Sequence, residues 1–554
     1  MQKFLVTLLL VLAGPALAQV KPSQPVAPLN NPEFGGTVKV DRLQIQGLGS
    51  TGPISDMSFN APFEGSRPVS LKDRIPAINA RDCGAVPNTD IDQAPAINTC
   101  LQRAFEQRRP FEIEKGYYGV GQSGVAADGR PYALLSKAVT MYGVGSNTTD
   151  TVIYPLASVA NNVDILRIEA PANLGENFSL SDIMINPGVT GSLRGGVGIF
   201  MVNLEQGNLS MVSVDNMRVT RGNDYSLYIK GVPSALTPQG AFANSRVTRS
   251  VFDDGVKGEG LGDSILWQGV AFRNHSTARA AVDYGVTNFN PDFPAGLANL
   301  ASVQTFDNCN FGSLGPIAIL RNGRHYVFRN PNMEIGNESG ATGGENNVML
   351  DVRGDVGPIA RVEIQGGQMG LFGDGTARKM IRLGRVQNFR IAGTTMASGL
   401  APGLTTGIDI TSDATDTSIY ALRTNGNNFA SFITDNGVGT MGVRKVLPLA
   451  TGMTAASGLQ APSFIKDETG LVRLYGTVET GSTAGPVLLA TLPPGFRPAV
   501  AYRLGVILTG ATVTTLDVFT DGRINYNGPA NQQVNLNGVS YQNNPTNVEA
   551  QQNH

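Results

Sequence analysis

Between about residue 111 and residue 440 the apolar positions come in short runs that alternate with polar ones and are cut by Gly or Asn. The runs are FSLSDIMINPG, LSMVSVDNMRVTRGN, SRVTRSVFDDG, ILWQGVAFRN, VQTFDNCNFG, YVFRNPNMEIG, ARVEIQGGQMG and VQNFRIAGTTM. Alternation over so few residues, bounded by turn formers, predicts short strands. The turn markers Asn186, Asn216, Asp253, Asn274, Asn308, Asn332, Gly367 and Gly393 recur at steps of 21 to 37 residues. A propeller would give a fixed step, so the irregular spacing fits a solenoid whose coils carry loops of unequal length. A β-sandwich array is the alternative. In a solenoid one face of each strand packs inward against the coils above and below, and Asn at a bend tolerates a left-handed backbone and can stack on the Asn of the next coil.

One segment breaks the pattern. From about Gln93 to Arg108, the residues Ala96, Ile97, Cys100, Leu101, Ala104 and Phe105 repeat at helical spacing. Asp92 can cap this helix, Pro95 sits in its first turn, Arg108 and Arg109 suit its C-terminal dipole, and Pro110 ends it. Residues 19–70 are rich in Pro, Asn, Gly and Ser, and only VKVDRLQIQG at 38–47 alternates like a strand. They are expected to form a linker or attachment segment.

Composition narrows the function classes. The 554 residues carry 42 basic and 44 acidic side chains, a net charge of −2, with 16% charged residues in all. A chain built to coat a polyanion looks different, so a nucleic-acid partner is not expected. Gly and Pro reach 67 and 32, yet 41% of the chain is hydrophobic, which excludes collagen and disorder and suits many turns between many strands. Lys3, the apolar run FLVTLLLVLAG and the sequence Pro15 to Ala18 have the layout of a secretory signal cleaved after Ala18. That run is shorter than the ~20 residues of a membrane span, and no transmembrane segment is expected elsewhere. Export permits disulfides. Cys83, in a strand-like segment, and Cys100, on the helix, are the candidate pair, worth about 3 kcal/mol in the chain-entropy model; two free buried thiols are the alternative. Cys309 reads as a small apolar core residue.

The stretch INARDCGAVPNTDIDQAPAINTCLQRA, followed by FEIEKGYYGVG, resembles the opening of pectate-lyase-superfamily β-helix proteins. The matching residues are Asp82, Gly84, Ala85, Ala96, Ile97, Gly116 and Tyr118. Where most members have Gly-Asp-Gly and a double Asp before the helix, this chain reads VPNTDIDQ. Residues 471–540 resemble the small C-terminal β domain of phage tail-fibre and tailspike proteins, through Leu474, Gly476, Val478, Leu492, Pro493, Gly495, Arg497, Pro498, Asp521, Gly522, Val534, Leu536 and Gly538. The resemblance implies an all-β fold: a right-handed parallel β-helix with an N-terminal capping helix and a small C-terminal antiparallel β domain. It also implies a homotrimer that binds polysaccharide on a coil face or between subunits. The expected division is signal 1–18, linker 19–70, β-helix 71–445 and tip domain 446–554.

Glycoside hydrolysis needs two carboxylates about 5 Å apart for retention or 6.5–9.5 Å for inversion. The densest acidic cluster is Asp253, Asp254, Glu259 and Asp263, in SVFDDGVKGEGLGDS, and a working pair would join Asp253 or Asp254 to Asp263 across a turn. A solvated acidic loop is the plainer reading. Lyase chemistry needs a base and a group that neutralises a uronate carboxylate. His275 lies near Arg273, Arg279 and Asp283, and His325 lies near Arg321, Arg324 and Arg329; guanidinium forks match carboxylates. Plain surface charge explains both equally well. Asp351, Asp355, Glu363 and Asp374 form a looser second acidic group. Trp267, Tyr117, Tyr118, Tyr132 and Tyr142 are candidates to stack on sugar rings, with core packing as the other fate. There is no Walker loop, dinucleotide fingerprint, zinc spacing or Gly-x-Ser-x-Gly elbow, and no cofactor or metal is expected. The sequence reading is an exported tailspike-like protein that binds a polysaccharide and is a candidate to depolymerise it. A non-catalytic adhesin or structural fibre, and a monomeric secreted pectinase-like enzyme, are the alternatives.

Overall fold

The computed structural model describes residues 77–543, apart from 171–177, 187–195, 204–208, 221–223, 232–241, 261–263, 286–302, 337–347, 373–377, 426–428, 509–511 and a few single or paired positions. It also describes five short strand pieces between residues 20 and 70. The expected signal segment, most of the expected linker and His554 lie outside the described residues.

Three long sheets run side by side. Sheet 1 has twelve strands from Ile78–Asn79 to Thr417–Tyr420, sheet 2 has eleven from Gly116–Val120 to Arg423–Asn425, and sheet 3 has twelve from Gly124–Val125 to Phe429–Asp435. The chain visits them in turn, so each strand pairs in parallel with the strand one coil away: a parallel β-helix. Only the hairpin of Gly124–Val125 with Pro131–Ser136 is antiparallel within them. In-register pairing sets like on like. Inside sheet 1 one column runs Val247, Trp267, Phe306, Phe328, Ile364, Ile391, Ile419. Inside sheet 2 another runs Phe252, Phe272, Phe311, Met333, Met369, Met396. Phe306 stacks on Phe328 at 4.8 Å and Phe272 on Phe311 at 4.9 Å, offset-stack distances at which aromatic pairs add to the burial energy.

The bend between sheets 1 and 2 is two residues long, and its first residue is left-handed in nine successive coils: Asp182, Asn216, Arg249, Gly269, Asn308, Asn330, Gly366, Gly393 and Ala421. These residues are 20 to 39 apart, so the unequal coil length expected from the sequence holds. The markers chosen from the sequence are only partly these bends. Asn216, Asn308, Gly367 and Gly393 have positive φ, whereas Asn186, Asp253, Asn274 and Asn332 do not. Arg249 and Ala421 fill the bend without the Asn or Gly that would announce it. Amide stacking occurs on a strand face instead: Asn332 Nδ2 donates to Asn310 Oδ1 at 3.2 Å and Gln368 Nε2 to Asn332 Oδ1 at 2.7 Å.

The helix spans Ala94–Glu106 and lays Ala94, Ile97, Cys100, Leu101 and Ala104 over the first coil. Gln93 rather than Asp92 is the N-cap residue, but Asp92 Oδ1 still accepts from the Ala94 amide at 2.9 Å. Cys83 lies in the 3-10 turn Ala80–Cys83, not a strand, and is disulfide-bonded to Cys100, pinning that turn to the helix. Cys309 is buried. From Lys445 onward pairing turns antiparallel, in a four-stranded and a seven-stranded sheet around a separate core that includes Phe464, Leu474, Leu492, Phe496 and Tyr526. Among the described residues no helix is long and apolar enough to cross a membrane.

Candidate functional site

The acidic cluster found in the sequence does not assemble among the described residues. Asp253 and Asp254 occupy the turn from sheet 2 to sheet 3, between Val251–Phe252 and Val256–Glu259, and both are buried. Asp253 reaches Arg273 at 3.5 Å, and the Asp254 amide donates to Ser226 Oγ at 2.8 Å. Glu259 ends the next strand, three residues or about 10 Å beyond Val256 at the strand rise, and is half-buried on its outer side while both aspartates are buried in the turn. Its carboxylate is held by Lys257 Nζ and the Tyr228 hydroxyl, each at 2.8 Å. Burial, with Glu259 beside it, raises the pKa of the Tyr228 hydroxyl, so it remains a donor. Asp263 lies outside the described residues.

Trp267 is corrected outright. It is fully buried, ringed by Phe242, Phe272, Tyr284 and Phe306, with its indole nitrogen 3.3 Å from Gln304 Oε1. It alternates inward on its strand, so no sugar reaches it. Tyr118 is buried as well, while Tyr117 is exposed at the first coil. Arg273, on strand Ala271–Asn274 of sheet 2, and His275, just past its end, are exposed, and Arg279 lies 5.7 Å from the centre of the Tyr225 ring and 3.5 Å from Asp224.

His325 opens strand His325–Arg329 of sheet 1 and faces outward. One coil on, the outward residues are Arg361, Glu363 and Gln365, and the register sets Arg361 beside His325. His325 Nε2 lies 3.2 Å from Glu363 Oε1, Arg361 pairs with the same oxygen, and Gln365 Nε2 donates to Oε2 at 2.7 Å. Three partners thus fix a carboxylate whose side chain is only 7% exposed, although it stands on the outer face. Arg390 follows Glu363 in register, Arg329 stands beside Asp307, and Arg324 precedes the strand; Arg324 and Arg329 are exposed. Four arginines against Asp307 and Glu363 leave this face at +2 even with His325 neutral. A carboxylate held to one ring nitrogen leaves the other free to exchange a proton. Of these groups the sequence singled out His325, Arg324 and Arg329, and placed Glu363 in the looser acidic group. Arg361, Gln365 and Arg390 were not singled out, although the alternation in RVEIQ already aims Arg361, Glu363 and Gln365 to one side.

Sheet 3 carries its charges differently. Arg130 holds buried Asp164 through two bonds of 2.9 and 2.6 Å, and buried Arg167 lies between Asp128 at 3.1 Å and Glu169 at 2.6 Å. Arg321 bridges Asp283 at 2.7 Å and Asp355 at 3.2 Å, and Asp351 is gripped by Arg353 and Arg382, each at 2.7 Å. Two members of the looser acidic group are therefore spent in this ladder, and Asp374 lies outside the described residues. Among the described residues no group of three His, Cys, Asp or Glu could hold a metal ion.

No protein-family model and no curated protein matches the sequence. Among solved structures the chain is similar to the mannuronan C-5 epimerase AlgE4 A-module of Azotobacter vinelandii, 13% identical, covering 66% of this chain and 99% of that one with a TM-score of 0.39. It is similar to the surface protein and adhesin PfbA of Streptococcus pneumoniae, 13% identical, covering 64% and 99% with a TM-score of 0.41. It is similar also to the tailspike protein of Acinetobacter phage vB_ApiP_P1, 10% identical, covering 84% and 87% with a TM-score of 0.38. The parallel β-helix itself rests on the pairing of the three sheets.

Proposed function

We propose that this chain is an exported β-helix protein that binds an acidic polysaccharide on the outer face of sheet 1. The observation that carries the reading is the cationic, partly exposed patch of Arg324, His325, Arg329, Arg361 and Arg390 along consecutive coils. Strands there repeat every ~4.8 Å, and Arg329, Arg361 and Arg390 stand in different register columns on three successive coils, so the guanidinium groups form a staggered patch able to meet carboxylates of a polymer lying obliquely across it. The His325–Glu363 contact favours a second reading, in which the bound polymer is also cut: His325 takes or gives the proton and Glu363 orients the ring. Export is supported by the charged, apolar and small-residue layout of residues 1–18. Assembly as a homotrimer is supported by the exposed apolar residues of the C-terminal domain, among them Val446, Leu459, Ile507 and Val513, and analytical ultracentrifugation reads it directly.

The test is binding of polygalacturonate, alginate and neutral dextran to the wild type and to Arg324→Ala/Arg361→Ala, with reducing ends and absorbance at 235 nm followed in the same samples. Binding of the acidic polymers that the double variant loses supports the reading. Binding without cleavage makes the protein an adhesin, and binding of dextran alone refutes the acidic ligand.

A further inference from the structure

Sheet 2 presents a different surface. Its outward residues between Ala271 and Ser398 include Asn310, Asn332, Gln368 and Thr395 in one register column and Gly312, Glu334, Gly370 and Ala397 in the next. Just past strand Gln368–Leu371, Phe372 is 38% exposed. A Cβ added at Gly370 would fall 2.7 Å from Phe372 Cε2, and one added at Gly399 would fall 2.7 Å from Cδ1. The ring therefore rests on two glycines, which bring it down onto the sheet where any larger side chain would lift it off. In the same corner column the Phe372 amide donates to Ile335 O at 3.1 Å and the Gly399 amide to Leu371 O at 2.8 Å, so Gly336 and Gly399 flank Phe372 one coil away on either side. Among the described residues, a Cβ at Gly336 or at Gly312 would meet nothing within 4 Å.

We propose that Phe372, with the amide ladder Asn310–Asn332–Gln368, forms a subsite for an uncharged hexopyranose unit. The inference rests on the proposed polysaccharide binding for the polymer to which that unit belongs, and on sheet 2 alone for the unit itself. A pyranose ring has one face of C–H groups and a rim of hydroxyls. The negative face of an aromatic ring attracts the C–H face, and primary amides, each with two donors and an acceptor, match the hydroxyls. Within the ladder each amide spends at most part of that capacity, so groups remain for a ligand. Charge separates this subsite from sheet 1: in the four strands Asn310–Ser313, Asn332–Ile335, Gln368–Leu371 and Thr395–Ser398 the one charged side chain is Glu334, so this stretch lacks the arginine surplus of the sheet 1 patch. Size separates it from a protein interface, which buries about 800 Å² per partner, far more than one ring.

The experiment is saturation-transfer NMR and titration calorimetry of the full chain with neutral hexasaccharides of glucose, mannose and galactose. At least one is expected to bind, and Phe372→Ala to weaken it about tenfold or more, as truncating an aromatic anchor does. Phe372→Tyr should retain binding and Gln368→Ala should weaken it several-fold; far-UV circular dichroism of each variant checks the fold. No binding of any of the three sugars, or binding that Phe372→Ala leaves intact, overturns the subsite. Loss of polygalacturonate or alginate binding in Arg324→Ala/Arg361→Ala, together with no binding of any neutral hexasaccharide by the wild type, would leave the sheet 1 reading standing while the subsite fell.

Discussion

The outer faces of sheets 1 and 3 are built from the same coils, yet they treat charge in opposite ways. On sheet 3 the side chains of Arg167, Asp164 and Asp351 are almost wholly withdrawn from solvent, and each is met by one or more opposite charges. On the sheet 1 coils from Asp307 to Arg390 arginines outnumber carboxylates, and Arg324 and Arg329 stand in solvent. A buried ion is tolerable only when partnered, so the sheet 3 ladder is a matter of folding. An exposed surplus of one sign adds nothing to folding and marks a surface that meets an ion of the other sign.

The largest expected effect breaks the sheet 3 side of this contrast. Asp164→Ala removes both charge-assisted bonds to Arg130, itself one third exposed, and the acceptor of the Val197 amide, and together these losses cost about 3 kcal/mol or more. Urea titration should show a markedly lower midpoint, while polysaccharide binding by the folded fraction stays normal. Next comes the cap: Cys83→Ser/Cys100→Ser removes a constraint worth about 3 kcal/mol in the chain-entropy model, and thermal melts with and without reductant should converge in that variant. On sheet 1, Arg324→Ala should cost less than about 1 kcal/mol of stability, as exposed charges do, yet weaken binding of acidic polymer several-fold. Glu363→Gln keeps the shape but removes the charge that orients His325. If the polymer is cut, the rate should fall and its pH profile shift while binding persists.

The smallest effect separates the two cores. Arg503 beside Asp517 holds that carboxyl below its usual range, and hydrogen bonds from the Arg523 backbone and side chain do the same for Asp521. A lowered carboxyl pKa contributes stability that is present above the unfolded value of about 3.9 and is lost as pH falls through the lower folded one. In the β-helix Arg249 holds the Asp215 carboxyl below its usual range in the same way, but Asp164 runs the other way, raised by burial against the pull of Arg130, so its protonation in acid offsets that loss. Taking melts from pH 7 to pH 3 should therefore weaken the C-terminal domain slightly ahead of the β-helix, if each gives its own transition.

How much of this the sequence disclosed follows from which forces are local. Alternation and turn residues declared the coils, and helical spacing with Pro95 and Pro110 declared the cap, because propensity and periodicity act over a few residues. The inward fate of Trp267 depends on strand register: in ILWQ it shares parity with Ile265, which is also buried, but parity alone does not say which side is the core. The bends at Arg249 and Ala421 stayed hidden because neighbouring coils impose a left-handed backbone that those residues do not seek. The acidic loop is legible only in part. The strand Val256–Glu259 carries Glu259 away from Asp254, while Asp263, the partner expected for either aspartate, lies outside the described residues. The contact of His325 with Glu363 spans 38 residues, and only coil length brings it about.

The measurement that bears most directly on the central claim compares two double variants of equal charge change. Arg324→Ala/Arg361→Ala removes two cations from sheet 1, and Lys379→Ala/Arg503→Ala removes two exposed cations from sheet 3 and the C-terminal domain. Calorimetric titration with polygalacturonate and with alginate should show binding, by at least one of them, that falls about tenfold or more in the first variant and stays near wild type in the second. Equal losses in both, or none in either, would contradict a binding face on sheet 1.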